Sequence, residues 1–492
     1  MSGIAGVYLK PSTEDVGRML AKLTHRGPDG QGIKNLPSGT LGHRRLAILD
    51  IDGGYQPMGI DNTWIAFNGA IYNYRELASE YLQDETLSAH NDTEVILHLY
   101  QKFGPRCVEM LDGMFAFAIL DSSGLFMARD PLGIKPMYCS ERDGAFYFAS
   151  EIKALTEMTS TMHEFPAGYW FHSRGGWHSY FEIDHLQAEN GIDPSESIRF
   201  VLEEAVRKRL IADVPVGVSL NGGPDSSIIA LLAIQELGQL HSFAVGMEGS
   251  QALAAAREIA ETLGTNHHER IFTEDEILSV LPKVIYHLES FEPALVRSAV
   301  PNFFLAEMAS KYVKVILSSD GADEIYAAYD YFRSIESPDK LRDETTDLIA
   351  ALHNTNLQRA DRISMAFGLE SRIPFLDIKS VALGLGLPAE KKIPGDGPVQ
   401  DLLQQAFRDN LPQGIFNRSM QEFSMEAGSS NVVVHVAERE ISEDEFKSVQ
   451  SRLLNRWGYH LIDKEALYYY KLFRQYFEDR WIFPMLGQSR RF

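Results

Sequence analysis

The stretch Val216-Gly-Val-Ser-Leu-Asn-Gly-Gly-Pro-Asp-Ser-Ser227, with the apolar run Ile228–Ile234 behind it, limits the fold more than any other. Small and β-branched residues lead into Gly222-Gly223; an acid and two hydroxyls then open a helical pattern. Strand, glycine turn and helix N-terminus together make an anion site, because spare N–H groups and the helix dipole face one point. Asp225 is suited to hold Mg²⁺ there, and Ser226 and Ser227 to donate hydrogen bonds. Alone, such a turn fits a plain strand-to-helix connection equally well.

The flanking pattern favours the anion site. Ser195 to Leu210 reads as an amphipathic helix with Ser195 as its cap. Strand Val216–Leu220, helix Ser226–Glu236, strand His241–Val245 and helix Leu253–Leu263 alternate as a parallel sheet requires. Val313–Leu317 is a further buried-type strand, and it ends in Ser318-Ser-Asp-Gly-Ala-Asp-Glu324. That puts Asp320, Asp323 and Glu324 at the carboxyl edge, where open parallel sheets bind ligands. Asp225 also follows a strand end. Carboxylates from two such edges, Asp225 and Asp323, suit a Mg²⁺–pyrophosphate group. Solvated loop acids would explain either turn alone, but explain both together poorly. From Asp339 onward the pattern is mostly helical.

Upstream, Leu41–Ile51, Thr63–Phe67, Gly113–Asp121, Leu125–Arg129 and Ala145–Phe148 read as strands, and Glu94–Phe103 as a helix. The polar stretch Asp184–Glu196 is the linker candidate, dividing the chain into domains 1–186 and 187–492. A chain of 492 residues suits two or more domains. A formal net charge of −22 argues against broad nucleic-acid or anionic-membrane binding, though a local nucleotide pocket can still be positive. Two cysteines, Cys107 and Cys139, build no disulfide framework. No apolar run has the length of a membrane span, and the start lacks a signal segment, so a cytoplasmic protein is expected.

These motifs belong to a longer set. His25-Arg-Gly-Pro-Asp29, Arg45-Leu-Ala-Ile48, Asn68-Gly69, Asp112-Gly-Met-Phe-Ala-Phe117, Arg129–Pro136, Ser150-Glu-Ile-Lys-Ala154 and Phe165-Pro-Ala-Gly168 lie in the first part. Asp213-Val-Pro215, Phe243-Ala-Val-Gly246, Arg362-Ile-Ser-Met-Ala366, Arg372–Asp377 and Lys464-Glu-Ala-Leu467 lie in the second. With them the chain resembles the glutamine-dependent asparagine synthetase family, with β-lactam synthetase as a cousin. The resemblance implies an α+β Ntn-hydrolase glutaminase fold, an αββα sandwich, followed by an α/β ATP-pyrophosphatase domain. It implies ATP and Mg²⁺, a carboxylate activated as its acyl-adenylate, and a small-molecule amine to capture it; a homodimer is left open. It puts phosphates on Asn221, Gly222, Gly223, Ser226, Ser318, Ser319 and Gly321, and adenine against Val245, Gly246 and Met247. Asp320 would assist the attacking amine. Arg297 and Arg372 would be cationic handles.

Departures from the family carry equal weight. Ser2 stands where the glutaminase has its nucleophilic cysteine. Arg45, Asn68 and Gly69 survive around it, and Asp92 keeps half of the grip on the glutamine ammonium. Ala70 replaces the acid that supplies the other half, so glutamine hydrolysis is expected to be lost. Asn221 replaces a serine at the start of the phosphate loop. Ala327-Ala328 replace two glycines. Met420 replaces a lysine at the reaction centre, and Gly397–Leu402 lacks a second one. Ala294 and Leu295 replace threonines just before Arg297, which points to a carboxylate other than aspartate. Three readings stay open: a ligase using free ammonia or another amine, a retired scaffold with a binding role, and a scaffold recruited to ATP-independent chemistry.

Overall fold

The computed structural model describes residues 2–85, 87, 91–159, 161–186, 193–335, 337–393, 401–416, 423–483 and 485–486. They form two compact units. The first takes in Met1–Ile183, Ile211–Val214 and Met365–Glu370, and the second the remainder.

The first unit is built on two six-stranded sheets. In one, Ser2–Tyr8 pairs antiparallel with Gly39–Arg45 on one side and Ala145–Ala149 on the other. In the other, Gly113–Asp121 pairs with Thr63–Ile71 and Gly124–Arg129. Alternation along Gly113–Asp121 divides its side chains between two cores. Ala116, Ala118 and Leu120 join Ile4 and Leu41 between the sheets. Phe115, Phe117 and Ile119 face Val95, Ile96 and Leu99 of the helix Asp92–Phe103. The helix Thr13–Lys22 packs on the opposite sheet. The layers are therefore helix, sheet, sheet, helix, an αββα sandwich.

The expected strand Leu41–Ile51 ends early, at Arg45. Beyond it Leu46, Ala47 and Ile48 stay buried, but their backbone leaves the sheet. The Ala47 N–H donates to Asp29 Oδ2 at 2.8 Å, and the Ile48 carbonyl accepts from the Asp213 N–H at 2.9 Å. A side chain has replaced a strand as the hydrogen-bonding partner.

The second unit has a five-stranded sheet in the order Asn266–Ile271, His241–Gly246, Val216–Ser219, Val315–Leu317, Glu370–Arg372. Its first four strands are parallel to their neighbours. The chain winds outward from Val216–Ser219 to one side, then returns to lay Val315–Leu317 on the other. Strand order reverses between those two strands, which opens a crevice at their carboxyl ends. The helix Pro194–Arg209 is capped by Asp193, whose carboxylate accepts the Ser195 N–H at 2.9 Å. This corrects the expectation that Ser195 is the cap: Pro194, at the first helical position, shifts the start upstream. Most of the chain after Pro338 is helical. No helix among the described residues is long and apolar enough to cross a membrane.

Candidate active site

Two turns meet at the crevice of the second unit. Gly222 has φ +79°, and a Cβ on it would lie 2.3 Å from the Ala255 Cβ, so only glycine lets the loop close against the helix Gln251–Leu263. Asn221 organises the same loop. Its Oδ1 accepts from the Gly223 N–H at 3.0 Å and from the Ser226 hydroxyl. With the carbonyl oxygen engaged in the loop, Nδ2 is the donor that remains. Ser227 Oγ donates to the Gly223 carbonyl at 2.6 Å and ties the loop to the helix Pro224–Leu237.

The second turn follows Val315–Leu317, where the Ser318 N–H donates to the Arg372 carbonyl at 2.9 Å. Ser319 Oγ donates to Asp225 Oδ2 at 2.6 Å and joins the two turns. Gly321, at φ +91°, would bring a Cβ to 2.5 Å from the Leu376 side chain. It leads into the short helix Ala322–Ile325, which carries Asp323 and Glu324.

Carboxylates crowd this place. Asp225 is buried, and burial pushes its carboxyl above the usual range; Asp320 nearby adds to that, while the Ser319 hydroxyl opposes it. Its Oδ1 is buried with no hydrogen-bond partner among the described residues. Asp320 is held at both oxygens, by the Ser318 hydroxyl and by Arg359 Nη2. Glu324 is buried and raised by that burial, and it accepts from Tyr329 Oη at 2.6 Å and Asn356 Nδ2 at 3.0 Å.

An orphaned, buried carboxylate oxygen is costly unless something positive meets it. Asp225 Oδ1 therefore fits a divalent cation. No cluster of three metal-binding side chains occurs among the described residues. Two carboxylates, with remaining ligands from phosphate and water, is the Mg²⁺ pattern.

Other predicted positions lie apart from this cluster. Val245 and Gly246 end the strand His241–Gly246 at the same edge of the sheet. The Met247 N–H already donates to the Ala427 carbonyl at 2.9 Å. Arg372 is buried, and its Nη1 donates to the Arg209 carbonyl at 2.7 Å, beside the ion pair of Arg209 with Asp377. Arg297, in the helix Pro293–Ala309, is partly exposed and approaches Glu465. Leu295 is buried in the core. Met420 and most of Gly397–Leu402 lie outside the described residues. Arg359 and Tyr469, which bond Asp320 and Glu465, stood outside the motifs singled out in the sequence, whereas Glu465 lies within Lys464-Glu-Ala-Leu467 without a role assigned to it.

In the first unit Ser2, Asn68 and Asp92 are all buried. The Ser2 N–H donates to Asn68 Oδ1 at 3.0 Å, and Asn68 Nδ2 has no partner among the described residues. Arg26 Nε donates to the Ser2 carbonyl at 3.1 Å, and its Nη1 donates to the buried Glu151 at 2.7 Å. His25 and Lys153 also bond Glu151. Burial pushes the Glu151 carboxyl up, but His25, Lys153 and Arg26 together hold it well below its usual value. Arg45 donates to the Ile51 carbonyl at 2.9 Å and the Asp50 carbonyl at 2.7 Å. Gly69 and Ala70 pair with Phe115 and Met114. Asp92 Oδ2 accepts the Ile71 N–H at 3.0 Å, and burial raises its pKa to about 6.

A family model described as a glutamine amidotransferase domain matches residues 1–169, and one described as asparagine synthase matches 197–348 and 333–482. Among curated proteins the chain is 34% identical over 517 residues to asparagine synthetase B (glutamine-hydrolyzing) of Escherichia coli (strain K12), covering 99% of this chain and 92% of that one. It is 35% identical to asparagine synthetase (glutamine-hydrolyzing) of Brassica oleracea, covering 93% and 82%. It is 36% identical to a probable asparagine synthetase (glutamine-hydrolyzing) of Schizosaccharomyces pombe (strain 972 / ATCC 24843), covering 93% and 89%.

Proposed function

This chain belongs to the asparagine synthase family, and from that membership we propose that it activates a small-molecule carboxylate with ATP, releasing AMP and pyrophosphate. The activated carboxyl then forms an amide with free ammonia or another amine. The observation that carries this reading is the Ser319–Asp225 hydrogen bond, which brings both strand-end turns together. Asp225 and Asp323 would hold Mg²⁺, which supplies charge neutralisation on the departing pyrophosphate. Asn221 Nδ2 and the Ser319 turn would orient the phosphates. Asp320, fixed by Arg359 and Ser318, would receive the proton of the attacking amine. Arg297 would meet the substrate carboxylate or the α-phosphate, whereas Arg372 would act by setting the position of Ser318.

Within the reading, residues 1–186 form a glutaminase-like domain without glutaminase activity, and 187–492 the synthetase domain. Ser2 and Ala70 support this: a serine hydroxyl is seldom ionised near neutral pH, and alanine cannot grip an ammonium. The free thiols of Cys107 and Cys139 agree with a cytoplasmic setting. The test is carboxylate- and amine-dependent pyrophosphate release from Mg²⁺–ATP across a panel of both. Release requiring both substrates is the expected result. Nucleotide binding without turnover by any pair would overturn the ligase reading in favour of a retired scaffold.

A further inference from the structure

The motif Lys464-Glu-Ala-Leu467 has no part in the phosphate crevice, yet its glutamate is one of the more unusual groups in the molecule. Glu465 sits in the first turn of the helix Lys464–Phe473 and is buried, its side chain only 4% exposed. Tyr469, one turn along and also buried, donates its hydroxyl to Glu465 Oε1 at 2.9 Å. The same oxygen lies 3.4 Å from Arg297 Nε, a charge contact without a hydrogen bond. Arg297 therefore spends its Nε edge on Glu465 and keeps its two Nη groups for something else.

Arg297 is in the second turn of Pro293–Ala309, the helix that leads into Val315–Leu317. A helix feeding a parallel strand runs antiparallel to it, so the start of this helix points toward the carboxyl edge that holds the phosphate crevice. Other charged groups surround Glu465. Glu292, the cap of the Arg297 helix, and Asp463, the cap of its own helix, are both acidic. Lys464 beside it is paired with Glu438 of the helix Val432–Glu440 at 2.8 Å. Burial raises the Glu465 pKa to about 7, with Glu292 and Asp463 adding to the rise and Arg297 and Tyr469 opposing it.

We propose that Glu465, fixed by Tyr469, is the positioning residue for Arg297, drawing its Nε edge inward by charge so that the Nη groups are left for an incoming substrate carboxylate. This rests on the reading that Arg297 receives that carboxylate. An ionised Glu465 orients the guanidinium; a protonated one lets it go. Carboxylate capture then weakens as pH falls through 7, with little change in the later chemical step.

The experiment pairs a direct titration with kinetics on the full chain. Carbon-13 NMR of δ-labelled glutamate should show one carboxyl titrating near neutrality that is absent in Glu465→Gln. It should move to higher pH in Tyr469→Phe and in Arg297→Gln, because each removes a group that favours the ionised form. In pyrophosphate exchange driven by L-aspartate, L-glutamate, N-acetylglycine and butyrate, the wild-type carboxylate KM should rise about tenfold from pH 8 to pH 6. Glu465→Gln should show the high KM at every pH with kcat changed less than threefold, and Glu465→Asp should recover part of the pH dependence. A wild-type pH profile retained in Glu465→Gln, while Arg297→Gln raises KM, would overturn the positioning role and leave the Arg297 reading standing. An unchanged KM in Arg297→Gln would overturn the reading itself.

Discussion

Ser319 Oγ donates to Asp225 Oδ2 at 2.6 Å, across 94 residues of sequence. One carboxylate oxygen is thereby committed to the opposite turn, and the other is buried with no partner among the described residues. Asp225→Asn should weaken Mg²⁺–ATP binding by tenfold or more, about 1.4 kcal/mol, in calorimetry. Ser319→Ala should weaken it less, because Oδ1, the oxygen proposed to meet the metal, remains. Equal loss in both variants would mean that the turn, not the metal contact, governs affinity.

Asn221 uses its oxygen to hold the loop, which leaves its Nδ2 as the group proposed to meet a phosphate. Asn221→Ala loses both and should cost about 1 kcal/mol, roughly fivefold in nucleotide affinity. Asn221→Ser restores a hydroxyl and should bind within about threefold of the parent, as one hydrogen bond replaces another. A serine variant as weak as the alanine variant would remove Asn221 from the phosphate contacts.

Glutamine should not be hydrolysed, and glutamate release should stay at background even in Ser2→Cys, since Ala70 still offers no carboxylate. Asp92 then remains as a buried acid whose pKa is raised to about 6. A raised acid stabilises the fold below its unfolded pKa and withdraws that contribution as pH climbs through 6. Asp92→Asn keeps an acceptor for the Ile71 N–H without the charge, so at pH 8 it should gain on the order of 1–3 kcal/mol in urea unfolding. The gain should vanish by pH 4.

His43 is buried, donates its Nε2–H to the Phe67 carbonyl at 3.2 Å, and has its pKa lowered by burial to about 3. Its unfolded form binds a proton from about pH 6.5 downward. Stability is therefore full above 6.5 and erodes as pH falls toward 3, by about 5 kcal/mol at most. The stability difference between His43→Asn and the parent should shift in the variant's favour across that window. A difference that is flat with pH would show that His43 is not neutral in the fold.

Period-two alternation gave the edges of Gly113–Asp121 directly, since both faces of that strand are buried and any slip would exchange its phenylalanines with its alanines. The turn at Gly222-Gly223 was legible for a similar reason: glycines at strained positions are visible in a sequence. The exit of Leu46-Ala47-Ile48 from the sheet was not, because an apolar run does not reveal that an aspartate at 29 will take its N–H. The pairs Asp320–Arg359 and Arg297–Glu465 were equally hidden. One joins a turn to a helix and the other a helix to a helix, each across a long stretch of chain, and a charge pattern records neither partner nor distance.

The cluster of His25, Arg26 and Lys153 around Glu151 has one further consequence. Arg26 anchors both that cluster and the Ser2 carbonyl, so the backbone at Ser2 is shaped by groups the unit needs in order to fold. A change of side chain at position 2 therefore leaves the local backbone in place, because Arg26 holds the Ser2 carbonyl and Asn68 holds its N–H whatever the side chain is.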